Sequence, residues 1–226
     1  MKFTYYGHSS FAVEIKGKKI VFDPFITHNE LAKEVDINKI EADYIFCSHG
    51  HADHVADLIG LAKRTNATVV GAFELTEWAG RQGLENVHPM NTGGKWHFDF
   101  GTVKCVVAHH SSGLPDGSYG GNPLGFIFTT AEGNFYFAGD TALTLDMQLI
   151  PRYAKLDFAI LPIGDNFTMG ADDAIVAAGF VDCKRIIGVH YDTFGYIKID
   201  KETTQQQFAA AGLELLLPAI GSSIDL

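Results

Sequence analysis

The chain has 226 residues, 46% hydrophobic and 19% charged, with a formal net charge of −10. That balance fits a soluble globular protein with one substantial core. It excludes a bilayer-spanning chain, since no apolar stretch approaches the roughly 20 residues a span needs. With no Lys/Arg block, it also makes nucleic acid a poor partner. The N-terminus has no apolar secretory segment, so the expected location is the cytoplasm. Cys47, Cys105 and Cys183 each sit in or beside an apolar run and read as reduced, buried thiols.

Short β-rich runs open the chain at residues 2–6, 10–15 and 18–22, with a turn at Lys16-Gly17-Lys18. A strand at 43–47, a helix at 53–65, a strand at 68–71 and a helix at 74–82 follow. This β/α alternation is the mark of crossover units. Residues 95–98 and 102–108 read as a hairpin, as do 124–129 and 134–138. A helix at 145–154, a strand at 157–161, a helix at 172–180 and a strand at 185–189 come next. Asp200 caps a last helix at 201–211, Gly212 stops it, and residues 213–217 form an edge strand. With no linker or repeat, one α/β domain over residues 1–226 is expected, with two sheets covered by helices.

His49-Gly50-His51-Ala52-Asp53-His54 places four metal-competent side chains on one bend after an apolar strand. Polar groups able to bind metal end four more apolar runs: Asp23, the pair His109-His110, Asp140 and His190. Sites in α/β folds gather at strand ends, and burying such groups unpaired is expensive. A shared metal centre explains the recurrence. Imidazole and carboxylate donors suit zinc, iron or manganese. Strand alternation lets only one of His109 and His110 face the metals.

The pattern His49-x-His51-x-Asp53-His54, followed in order by His109-His110, Asp140 and His190, resembles the metallo-β-lactamase superfamily. The resemblance implies a four-layer αββα sandwich with two divalent metal ions, zinc first and manganese or iron as alternatives. By resemblance, His49, His51 and His110 hold one ion, Asp53, His54 and His190 the other, and Asp140 bridges them. His110 is preferred because it directly precedes Ser111, a small polar residue. Asp53 would also orient the attacking hydroxide.

Tyr6-Gly7-His8-Ser9-Ser10, Asp23-Pro24-Phe25 and the segment 162–170 resemble small metal-dependent hydrolases related to ascorbate-phosphate lactonases. His8 is then expected near the site, and Asp23 is expected to fix a ligand histidine's tautomer. Asn166, Thr168 and Met169 are expected along the pocket. The implied activity is attack of a hydroxide bridging two metals on an ester-like bond of a small molecule, a lactone first. A phosphodiesterase, an iron-dependent dioxygenase and a non-catalytic binding protein are the alternatives. The glycine-rich segment 111–125 reads as a lid or an oligomer contact, so a homo-oligomer stays open. His28, His88 and His97 carry no pattern.

Overall fold

The computed structural model describes residues 1–226. The meander β1 (Lys2–Gly7), β2 (Ser10–Ile15) and β3 (Lys18–Phe22) is antiparallel. β4 (Tyr44–Phe46), β5 (Thr68–Ala72) and β6 (Val87–Met90) then add in parallel. Parallel neighbours need crossovers: two 3₁₀ turns, Glu30–Ala32 and Ile37–Lys39, lie between β3 and β4, and α1 (Ala52–Val55), α2 (Leu58–Thr65) and α3 (Phe73–Arg81) supply the next two.

The second half repeats the plan. β7 (Lys95–Phe98), β8 (Gly101–Val107), β9 (Leu124–Thr130) and β10 (Gly133–Phe137) are antiparallel. β11 (Phe158–Pro162), β12 (Arg185–Val189) and β13 (Glu214–Leu216) follow in parallel, with α4 (Ala171–Phe180) and α5 (Lys201–Ala210) as crossovers. β14 (Ser223–Asp225) returns to the first sheet and pairs with β1. The sheet orders are β14-β1-β2-β3-β4-β5-β6 and β13-β12-β11-β10-β9-β8-β7. This is the expected αββα sandwich, and residues 213–217 do contain an edge strand.

Phenylalanines hold the two sheets face to face. The Phe22 ring meets Phe128 at 5.4 Å, Phe11 meets Phe137 at 5.0 Å, and Phe46 meets Phe126 at 5.4 Å, all edge-on. Each such pair adds about 0.5–1.5 kcal/mol beyond its buried area. All three cysteines are free and buried, and burial pushes the Cys105 thiol up to about 12.

Four elements differ from expectation. The helix expected at 53–65 is two, α1 and α2, because Asp57 turns away to bind another loop. Its carboxylate accepts from the Ile26 and Thr27 N–H groups at 2.6 and 3.0 Å, and from the Thr27 hydroxyl. The helix expected at 145–154 is a 3₁₀ segment, Leu145–Arg152, containing Pro151, which cannot donate the hydrogen bond an α-helix needs. β6 went unseen because Pro89 interrupts it, and β14 because it is only three residues long.

Candidate metal centre

β1, β3, β4, β8, β10 and β12 end at the same edge of the paired sheets, and each releases a polar side chain there. Gly139 makes the turn after β10 possible. Its φ is +62°, and a Cβ would lie 2.8 Å from both Leu124 O and Ser48 Cβ. Gly164 lets the β11 loop pass behind His190, where a Cβ would sit 2.1 Å from the His190 carbonyl oxygen.

Two groups of donors result, and a third, Asp23 with His49 and His54, overlaps both. Ring nitrogens of His49, His51 and His110 lie within 4.8 Å of one another, as do donor atoms of His8, Asp53, His54 and His190. Asp140 stands between them. Its Oδ2 is 2.9 Å from His190 Nε2, 3.2 Å from His54 Nε2, 3.7 Å from His110 Nε2 and 3.9 Å from His49 Nε2. Of the histidine pair, His110 turns inward. His109 is exposed, and its backbone N–H donates to Thr141 Oγ1 at 2.9 Å.

Asp23 is fully buried behind His54. It accepts from Ser48 N–H at 2.7 Å, the Ser48 hydroxyl at 2.6 Å and His54 Nδ1 at 2.8 Å. Proton placement follows from the carboxylate being an acceptor only. His54 carries hydrogen on Nδ1 and turns Nε2 toward Asp140. His8 lies between Asp53 Oδ2 (3.1 Å) and Thr193 Oγ1 (3.0 Å).

The donor set fits divalent metal ions. His54 Nε2 and Asp140 Oδ1 are buried without a hydrogen-bond partner; the 3.2 Å approach of His54 Nε2 to Asp140 Oδ2 is a charge contact only. Orphaned buried groups of this kind cost free energy, and a cation would satisfy them. With no sulfur in the set, zinc, manganese and iron all match.

Burial opposes every charge here, and proximity decides which survive. Burial would lower His54, but Asp140 and Asp23 hold it well above its ordinary value. Burial would raise Asp140, yet His54 and His190 hold it well below the carboxylate range. His49, His51 and His110 are lowered, chiefly by burial. His54 is therefore protonated at neutral pH in metal-free protein, whereas a ligand imidazole must be neutral. Metal uptake at pH 7 is expected to release about one proton from His54, and affinity should rise with pH. Calorimetric titration in two buffers of different ionisation enthalpy checks this; a buffer-independent heat contradicts it.

Beside the cluster opens a cavity of about 960 Å³. His51, Asp53, His110, Asp140 and His190 line it together with Phe25, Phe167, Phe194 and Tyr196.

Residues 18–191 match the β-lactamase superfamily domain. The chain belongs to the metallo-β-lactamase superfamily. It is 55% identical to the UPF0173 metal-dependent hydrolase of Flavobacterium johnsoniae over 226 residues, the whole of both chains. Igni18, a metallo hydrolase of Ignicoccus hospitalis, has a solved structure 30% identical to this chain. It superposes with a TM-score of 0.88 over 99% of this chain and 97% of its own. The isothiocyanate hydrolase from Delia radicum gut bacteria shares the fold at 19% identity, with a TM-score of 0.82 over 100% and 99%.

In this metal-dependent hydrolase the pocket wall differs from expectation. Asn166, Thr168 and Met169 lie off the cavity, which takes Phe167 instead. Asp165 and Asn166 adopt φ of +63° and +58°, a left-handed turn that leaves Asn166 exposed. Met169 donates its N–H to Thr141 O at 3.1 Å and buries its side chain in the core beneath α4. The Thr168 hydroxyl points back to Met169 O. Thr193, Phe194 and Tyr196 went unremarked, although two aromatics flanking Gly195 just after His190 were a readable signal.

The segment 111–125 is tied down. Ser112 Oγ accepts from Gly50 N–H at 3.1 Å, Leu124 N–H donates to Ser48 O at 2.8 Å, and Leu114 is buried. Only Ser111 of this segment reaches the cavity. His88 packs against Trp96 and Phe98, and His97 bonds Thr102, both away from the cluster.

Proposed function

We propose that the protein hydrolyses an ester-like bond in a small, uncharged substrate with an apolar portion, a lactone or simple carboxylic ester. Two divalent ions, zinc first, would be held by His49, His51 and His110 and by Asp53, His54 and His190, with Asp140 shared. Such ions polarise the scissile carbonyl and acidify water at neutral pH.

The observation that carries the substrate class is the cavity lining. It combines the donors of the centre with four aromatic rings and contains no Lys or Arg. A phosphate group placed away from the scissile bond would find no side-chain cation in the cavity to pair with it. This separates the chain from the phosphorylated lactones of the lactonases it resembles.

The remaining roles belong to the protein's own groups. Asp23 keeps the His54 Nε2 lone pair turned inward. Asp53, partly exposed to the cavity, can accept a proton from a reacting water and orient it. Phe25, Phe167, Phe194 and Tyr196 would seat the apolar portion and exclude bulk water.

A panel of γ-lactones, aryl carboxylic esters and bis-aryl phosphodiesters, run on zinc, manganese and iron forms, tests this reading. Turnover of the neutral carboxylic substrates, with phosphodiesters near background, is expected. The opposite ranking would make the enzyme a phosphodiesterase.

A further inference from the structure

We infer that Thr193 and His8 form a hydrogen-bonded relay that orients Asp53, making both of them positioning residues for the centre. The inference rests on the proposed ligand role of Asp53.

His8 sits where β1 ends, at a φ of +55°, a left-handed conformation uncommon outside glycine. Its carbonyl oxygen is held twice, by the Tyr5 hydroxyl at 2.9 Å and by His190 N–H at 2.9 Å. The strained backbone is thereby fixed to the strand end that delivers His190. Its ring packs between His190, with centroids 4.2 Å apart, and the edges of Phe25 and Phe194 at 5.6 and 5.4 Å. Buried surroundings with other imidazoles nearby favour a neutral ring.

Donor counting then assigns the proton. Asp53 Oδ2, 3.1 Å from Nε2, can only accept, so Nε2 carries the hydrogen. A neutral imidazole has one N–H. Nδ1 must therefore accept, and the Thr193 hydroxyl at 3.0 Å is its donor, the hydroxyl's competing acceptor, the Tyr191 carbonyl, lying farther off at 3.3 Å. Thr193 thus fixes the tautomer, His8 holds Oδ2, and Oδ1 is left for other work. Thr193 also begins the aromatic rim of Phe194 and Tyr196, so the cavity rim and the carboxylate are one hydrogen-bonded unit.

The close grouping of His8 with Asp53, His54 and His190 admits a rival: His8 as a ligand itself. In that arrangement Nε2 would be bare and Nδ1–H would donate to Thr193, the reverse tautomer. The hydrogen-bond contact between Nε2 and Asp53 favours the relay.

Two measurements decide. In metal-free protein, ¹⁵N imidazole shifts should show His8 as the Nε2–H tautomer; an Nδ1–H form overturns the relay. In zinc titrations against a chromophoric chelator, Thr193→Val should weaken one of two equivalents by about 10-fold or more and leave the other within about twofold. Thr193→Ser, which restores the hydroxyl, should return affinity to near the parent value. Parent-like binding by Thr193→Val, or equal loss in both variants, overturns the relay. Asp53→Asn separates the two readings. If it keeps both equivalents at parental affinity, the ligand assignment fails; if it loses one while Thr193→Val does not, only the relay fails.

Discussion

Replacing Asp140 with asparagine is expected to lower turnover by about 10³-fold, ~4 kcal/mol of barrier. Metal stoichiometry should fall from the proposed two equivalents to one or fewer. The argument is geometric: Asp140 Oδ2 reaches histidines of both donor groups, at 2.9 Å (His190), 3.2 Å (His54), 3.7 Å (His110) and 3.9 Å (His49). Asp23 also comes within 4.8 Å of His49 and His54, but it bonds His54 at Nδ1, on the far side of the ring from Asp140. Asparagine keeps the shape, losing only the charge that two cations would share.

The same substitution has a signature without metal. Despite burial, Asp140 and Asp23 hold His54 above its ordinary value. Its pairing energy is therefore full below an unfolded pKa of about 6.5 and fades as pH rises through the folded value. Asp140 is depressed, so its share is full above about 3.9 and fades as pH falls through its folded value. Asp140→Asn should thus cost metal-free protein most stability between the two unfolded values, about 3.9 and 6.5, and less once alkaline pH has deprotonated His54, as read from urea unfolding midpoints. Turnover within tenfold of the parent, with two metals still bound, would remove Asp140 from the centre.

What the chain announces and what it hides divide along contact range. The donors stand in short motifs at the ends of apolar runs, and the fold brings those ends to one edge. His49, His51, Asp53 and His54 share a single bend, so their proximity needs no tertiary knowledge. The groups that orient them are different. Ser48 meets Asp23 across 25 positions, and Thr193 meets His8 across 185. Nothing local in the chain marks such pairs.

The split of the expected 53–65 helix has the same origin. Asp57 leaves the helix to hold residues 26 and 27, some thirty positions earlier. That anchor also fixes the preceding Phe25 on the cavity wall. Asn166, Thr168 and Met169 misled for a local reason, because two consecutive left-handed residues rotate the following side chains. The motif was in the right loop, but Phe167 is the residue facing the cavity.

Asp23→Asn is expected to weaken metal binding by about 10- to 100-fold while changing metal-free stability far less. Burial pushes the Asp23 carboxyl up against the pull of His54 and Ser48, so keeping it ionised carries a cost that folding alone does not require. Removing the charge relieves part of that cost. Asparagine also tolerates the φ of +40° at this position. What it cannot do is accept at both oxygens. Its carbonyl would keep the Ser48 N–H, leaving the amide NH₂ to face His54 Nδ1. With the Asp23 charge gone, His54 would give up its second proton, accept at Nδ1 and carry its hydrogen on Nε2, toward Asp140, where a metal needs a lone pair. The ring stays in place and its chemistry is reversed. Chelator competition with zinc measures the affinity, and urea unfolding of the metal-free protein measures the stability. Parental affinity in Asp23→Asn would show that Asp23 supports the loop rather than the His54 tautomer.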